Sequence, residues 1–122
     1  MTDIHLDHDV LSALQEVMED EYPILLDTFL QDSEERLTQL RKTHDPDQLL
    51  STAHSFKGSS SNMGATRLAE LCSELELRAK QKSLAGIEEL VGEIDGEFAI
   101  IRPLYEAERQ RSVGGNTTAR RY

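Results

Sequence analysis

The chain is poor in the features that mark many protein classes. Its 122 residues contain one cysteine, Cys72, three prolines, three phenylalanines, three tyrosines and no tryptophan. A single thiol cannot close an intramolecular disulfide, which excludes a disulfide-stapled scaffold and suits a reducing compartment. No apolar run approaches the ~20 residues needed to cross a bilayer. The opening MTDIHLDHDV has neither a basic n-region nor an apolar h-region, so no secretory signal is expected. The expected location is the cytoplasm, with no membrane association. Positive charge is scarce: 13 basic residues face 23 acidic ones, for a net charge of −10. All the acids precede residue 109, whereas Arg109, Arg111, Arg120 and Arg121 lie at or beyond it. A body this acidic repels phosphate backbones and argues against nucleic-acid binding.

What the chain does have is helical period. β-branched runs are few, and glycine and proline sit mainly at joints. A first helix over about residues 7–19 carries Val10, Leu11, Leu14, Val17 and Met18 on its apolar side. A second starts near Asp20, with Pro23 tolerated in its first turn, and its stripe runs Tyr22, Leu25, Leu26, Phe29, Ser33, Leu37, Leu40. Asp45 and Pro46 form an N-cap and first position for a third helix ending near Gly64. The fourth carries Leu68, Leu71, Cys72, Leu75 and Ala79. The fifth carries Ile87, Leu90, Val91, Ile94, Phe98, Ile101 and Tyr105, with a late kink expected at Pro103. The expected fold is all-α, an antiparallel four-helix bundle with the short N-terminal helix capping one end. Residues 1–111 make the domain. Residues 112–122, SVGGNTTARRY, lack apolar period and are expected to be a disordered tail. Each stripe is consumed by the bundle, which points to a monomer.

Residues 53–65, AHSFKGSSSNMGA, are unusual for a structural helix. Gly58 costs roughly 1 kcal/mol relative to alanine in mid-helix, so something must compensate. At about 100° per residue, Leu49, Ala53, Phe56, Ser60 and Met63 gather on one face. His54 points about 150° away from that cluster, toward solvent. Leu50, Lys57, Gly58 and Ser61 share its side of the helix. A solvent-facing imidazole is largely neutral, and nucleophilic, in a neutral cytosol. A lysine one turn on can screen and orient a phosphoryl group on the ring. A glycine at the adjacent position leaves room for a second protein to approach. Phosphoryl transfer needs little acid–base chemistry and depends on in-line positioning and charge stabilisation.

The run His54-Ser55-Phe56-Lys57-Gly58-Ser59-Ser60 followed by Met63-Gly64-Ala65 resembles the signature of histidine-phosphotransfer (HPt) domains. That signature is a histidine, any residue, an apolar residue, lysine, glycine and two small residues, then an apolar–glycine pair. The resemblance covers residues 1 to about 108 and implies a four-helix bundle with a capping helix. It implies a stand-alone bacterial relay protein in which His54 is the phosphoacceptor, Lys57 assists, Gly58 gives access and Gly64 closes the helix. It implies receiver domains of hybrid sensor kinases and of a response regulator as partners, and no kinase activity or nucleotide site. It implies no cofactor, with Mg²⁺ supplied by the partner receiver domain. Leu50 and Ser61, with Leu14 or Met18 of the first helix, are the expected receiver-docking patch. The alternative is a receiver-binding or helical adaptor module without phosphotransfer, which explains the bundle but not Gly58 or the exposed histidine.

The remaining chemistry-bearing residues read as structural. His5 and His8 lie near the terminus with no cysteine or third histidine nearby, so no metal site is expected. His44 precedes a helix cap, and Cys72 falls within a core stripe.

Overall fold

The computed structural model describes residues 5–119, with side chains through residue 113. Five helices account for almost all of it: α1 (His8–Met18), α2 (Tyr22–Lys42), α3 (Pro46–Asn62), α4 (Thr66–Lys80) and α5 (Ile87–Ala119), with a 3₁₀ turn at Glu19–Glu21. Among the described residues there is no strand, and no helix is long and apolar enough to cross a membrane. The joints from α2 to α5 are short, so successive helices run antiparallel. Helices α3 and α4, α4 and α5, α5 and α2, and α2 and α3 pack in a closed cycle of four. The order of ion pairs along α2 and α5 shows the same sense: Arg41 meets Asp95, Glu34 meets Arg102, and Asp27 meets Arg109.

The stripes read from the sequence form the core. Every expected core position of α2 is buried except Leu25, which is half-buried, and every one in α4 and α5 is buried. Leu6 and Leu30 join them. Two tyrosines are fully enclosed, and each spends its hydroxyl as burial requires. Tyr105 donates to the Met63 carbonyl at 2.6 Å and meets Phe29 edge-on at 5.1 Å between ring centroids. Tyr22 donates to Glu108 at 2.7 Å. Arg111 beside Glu108 is the main reason its carboxyl sits below the usual range, with the Tyr22 hydroxyl adding to this.

Two expectations fail here. Val17 is 78 % exposed. Leu11, Leu14 and Met18 set the inward direction of α1, and Val17 falls about 100° from Met18, on the outside. The boundary at residue 112 also fails, because α5 continues through Ala119. Ser112 lies two turns beyond Tyr105 on the same face and is buried. Arg111 fastens this stretch by reaching back to Glu108 and across to Gln15 of α1. Helix α5 also runs past Pro103 without ending. Residues 120–122 of the expected tail lie outside the described residues.

The turn between α3 and α4 positions α1. Gly64 has φ +74°, and around it the Ala65 amide bonds Ser60 O at 2.8 Å while the Gly64 amide bonds Ser61 O at 3.1 Å. This is a glycine-dependent helix stop. Asp7 seats on it, its amide donating to Gly64 O at 2.7 Å. The Asp7 carboxylate caps α1 by accepting from Asp9 N at 3.0 Å and Val10 N at 3.3 Å. A Cβ at position 64 would lie 3.0 Å from Asp7 O and 3.2 Å from Val10 Cβ. Gly64→Ala is therefore expected to cost about 2 kcal/mol, from left-handed strain plus displacement of α1. Urea unfolding midpoints measure this, and an unchanged midpoint would show that α1 is not seated as described.

Candidate functional site

Helix α3 presents its unusual segment as the helical phase requires. Asp45 caps it by accepting from Asp47 N at 3.1 Å, and Pro46 opens the first turn. Leu49, Ala53, Phe56, Ser60 and Met63 are buried. The His54 side chain is therefore turned out, 68 % exposed. Gly58 and Ser61 are exposed beside it, and Leu50 is half-buried against the core edge. A Cβ built on Gly58 meets nothing within 4 Å, so the glycine serves no packing contact inside this chain.

The residue that organises the site comes from α4. Glu76 accepts from both functional side chains of α3, one through each carboxylate oxygen. His54 Nδ1 lies 2.7 Å from Oε2, and Lys57 Nζ lies 2.5 Å from Oε1. Lys57, then His54, holds the Glu76 carboxyl below its ordinary range. An ionised carboxylate only accepts, so Nδ1 must carry the proton that it donates. In the neutral ring this leaves the Nε2 lone pair free, on the exposed imidazole. Glu76 thus selects the tautomer in which the other ring nitrogen, Nε2, keeps its lone pair unprotonated. The ammonium of Lys57, expected to face the reacting group directly, lies against Glu76 and offsets its charge.

The model of the Hpt domain family matches residues 24–102 and so spans α3, α4 and the whole of this site. The chain belongs to the Hpt domain family. The family match leaves out α1 and the far part of α5. Histidine-containing phosphotransfer protein B (HptB) from Pseudomonas aeruginosa is similar in structure, with a TM-score of 0.87 and 54 % identity over 90 % of this chain and 98 % of that one. A rice protein assigned as a histidine-containing phosphotransfer protein shares the fold, with a TM-score of 0.78 at 17 % identity, over 89 % of this chain and 82 % of that one. No curated protein matches the chain.

The Hpt motif residues therefore gather as their spacing implies. Leu14 and Met18, expected in the docking patch, are half-buried and packed against the core. The exposed large apolar residue of that helix is Val17. His5 lies 2.7 Å from buried Glu97 and ties the N-terminal segment to α5. Cys72 is buried and its thiol is pushed up to about 12 by burial, which leaves it inert as a nucleophile. His44 is exposed in the α2–α3 joint.

Glu76 is the site residue that sequence reasoning missed. A signal for it exists in the hairpin arithmetic. With the turn centred on Ala65, His54 and Glu76 each stand 11 residues away and must meet at one level. Glu76→Gln keeps an oxygen that can accept from Nδ1 but removes the charge holding Lys57. Phosphoryl transfer is expected to slow about tenfold, or about 1.4 kcal/mol. The linkage has a definite sign. A carboxyl with a lowered folded pKa contributes stability that is full above its unfolded value and lost as pH falls through the folded one. The Glu76 carbon resonance should accordingly titrate below those of exposed glutamates. A midpoint within their range would contradict the bridge.

Proposed function

We propose that this protein is a cytoplasmic phosphorelay intermediate, acting as a monomer without kinase activity of its own. It accepts a phosphoryl group on His54 from the aspartyl phosphate of a receiver domain of a hybrid sensor kinase. It passes that group to the receiver domain of a response regulator. The observation that carries this reading is the exposed His54 imidazole whose Nδ1 is bound to Glu76, leaving Nε2 as the reactive atom.

The transfer is a displacement at phosphorus. The Nε2 lone pair forms the N–P bond as the acyl O–P bond of the donor breaks, and the electron pair of that bond stays on the donor's aspartate. The ring retains its Nδ1 proton and becomes cationic, which Glu76 stabilises at 2.7 Å. Lys57 keeps the Glu76 carboxylate from repelling the incoming group. Return to an acceptor aspartate reverses each step. Any Mg²⁺ belongs to the receiver, which carries the acidic pocket, and this chain needs no cofactor. Gly58 leaves the approach to Nε2 open, and Leu50 and Ser61 border it.

The experiment is to mix the protein with a phosphorylated receiver domain and test for acid-labile, base-stable label on this chain. Transfer supports the relay. Binding of the receiver without label would instead favour the adaptor.

A further inference from the structure

A cleft of about 430 Å³ opens beside His54, walled by Asp47, Leu50, Ser51, Ser55, Glu76 and Lys80. Lys57 is not among its walls. The register of the α3–α4 hairpin explains the arrangement. Counting outward from Ala65, Lys57 stands level with Ser73, His54 with Glu76, and Leu50 with Lys80. The two lysines therefore flank the His54–Glu76 pair along the hairpin, one on each side.

Their electrostatic situations differ. The Lys57 ammonium is 2.5 Å from Glu76, and its charge is already matched there. Lys80 is exposed and has no ion-pair or hydrogen-bond partner among the described residues. Yet it lines the same cleft as the imidazole. Phosphorylation would place about two negative charges on Nε2 in a chain whose acids already outnumber its bases by 23 to 13. The group needs a cation, and the nearest lysine in sequence is committed elsewhere. A flexible ammonium with three donors, anchored one turn from Glu76 on α4, meets that need.

We propose that Lys80 is the cation that pairs with the phosphoryl oxygens on His54 Nε2 during transfer, while Lys57 acts through Glu76. This rests on the relay reading. In the step, the N–P bond forms and the donor's bond to phosphorus breaks with its electron pair leaving on the donor. Lys80 exchanges no proton and contributes charge alone.

The test uses two phosphoryl donors: a phosphorylated receiver domain, and phosphoramidate, which is too small to need a docking surface. Lys80→Gln is expected to slow labelling by about fivefold with both donors, and Lys80→Arg to restore most of the rate. The ³¹P resonance of phosphorylated His54 should shift in Lys80→Gln while the thermal midpoint stays put, a combination that a structural role would not produce. If Lys80→Gln is labelled by phosphoramidate at the wild-type rate, the inference fails. A loss confined to the receiver donor also overturns it, because Lys80 is then a docking residue. If neither donor labels His54 in the wild type, the relay reading itself falls and this inference falls with it.

Discussion

His54→Gln should carry no label from a phosphorylated receiver, at an unchanged helical content. The expected loss is complete, because an amide nitrogen has no lone pair available for attack on phosphorus. Glutamine is the informative replacement, since it is a good helix former of similar reach. The side chain is 68 % exposed, so its exchange should move stability by no more than about 0.5 kcal/mol. Glu76 is not stranded by the change, because Lys57 remains 2.5 Å from it. Three other histidines provide the internal control. His5 pairs with Glu97, and His8 and His44 stand exposed at other places on the bundle. Label that survives in His54→Gln and maps to one of these would move the phosphoacceptor away from α3.

The parts of this site that could be read from the sequence are those carried by one helix. The phase of α3 follows from Leu49, Ala53, Phe56 and Ser60, and it fixes the outward face of His54, Lys57, Gly58 and Ser61 without knowledge of any neighbour. The stripes of α2, α4 and α5 were legible for the same reason, and so was the Gly64 stop. What was not legible lies between helices. The bridge from Glu76 to His54 and Lys57 depends on how α3 and α4 are levelled against each other. The helical period of α4 says only that Glu76 borders the core. An apolar face on α1 can serve a partner or the bundle, and only packing shows that Leu14 and Met18 rest half-buried against the core edge, as Leu50 does. The last turns of α5 were hidden because polar residues hold them. Ser112 fills a buried position without being apolar, and Arg111 joins Glu108 to Gln15.

Gly58 separates a relay from a mere bundle, because stability and function should move in opposite directions there. A glycine in mid-helix costs up to ~1 kcal/mol relative to alanine, and a Cβ at this position would touch nothing within 4 Å. Gly58→Ala should thus raise the thermal midpoint by about 4 °C. Helical side chains lean toward the N-terminus, so any group added at position 58 bends over the turn that carries His54. Transfer needs the phosphorus and Nε2 aligned at ~3–3.5 Å, with the receiver's backbone close behind. A methyl group trims that approach, and the expected slowing is a few-fold. Gly58→Gln puts a flexible chain across it, and the expected slowing is about 100-fold, or about 2.7 kcal/mol in the barrier. Phosphoramidate should label Gly58→Gln far less impaired than a receiver does, since the small donor can pass where a protein cannot. The two rates and the midpoint of each variant make the measurement. Wild-type transfer from a receiver by Gly58→Gln would mean that receivers do not approach over this face. Unfolding of Gly58→Ala would mean that the position is packed, against the open space found around it.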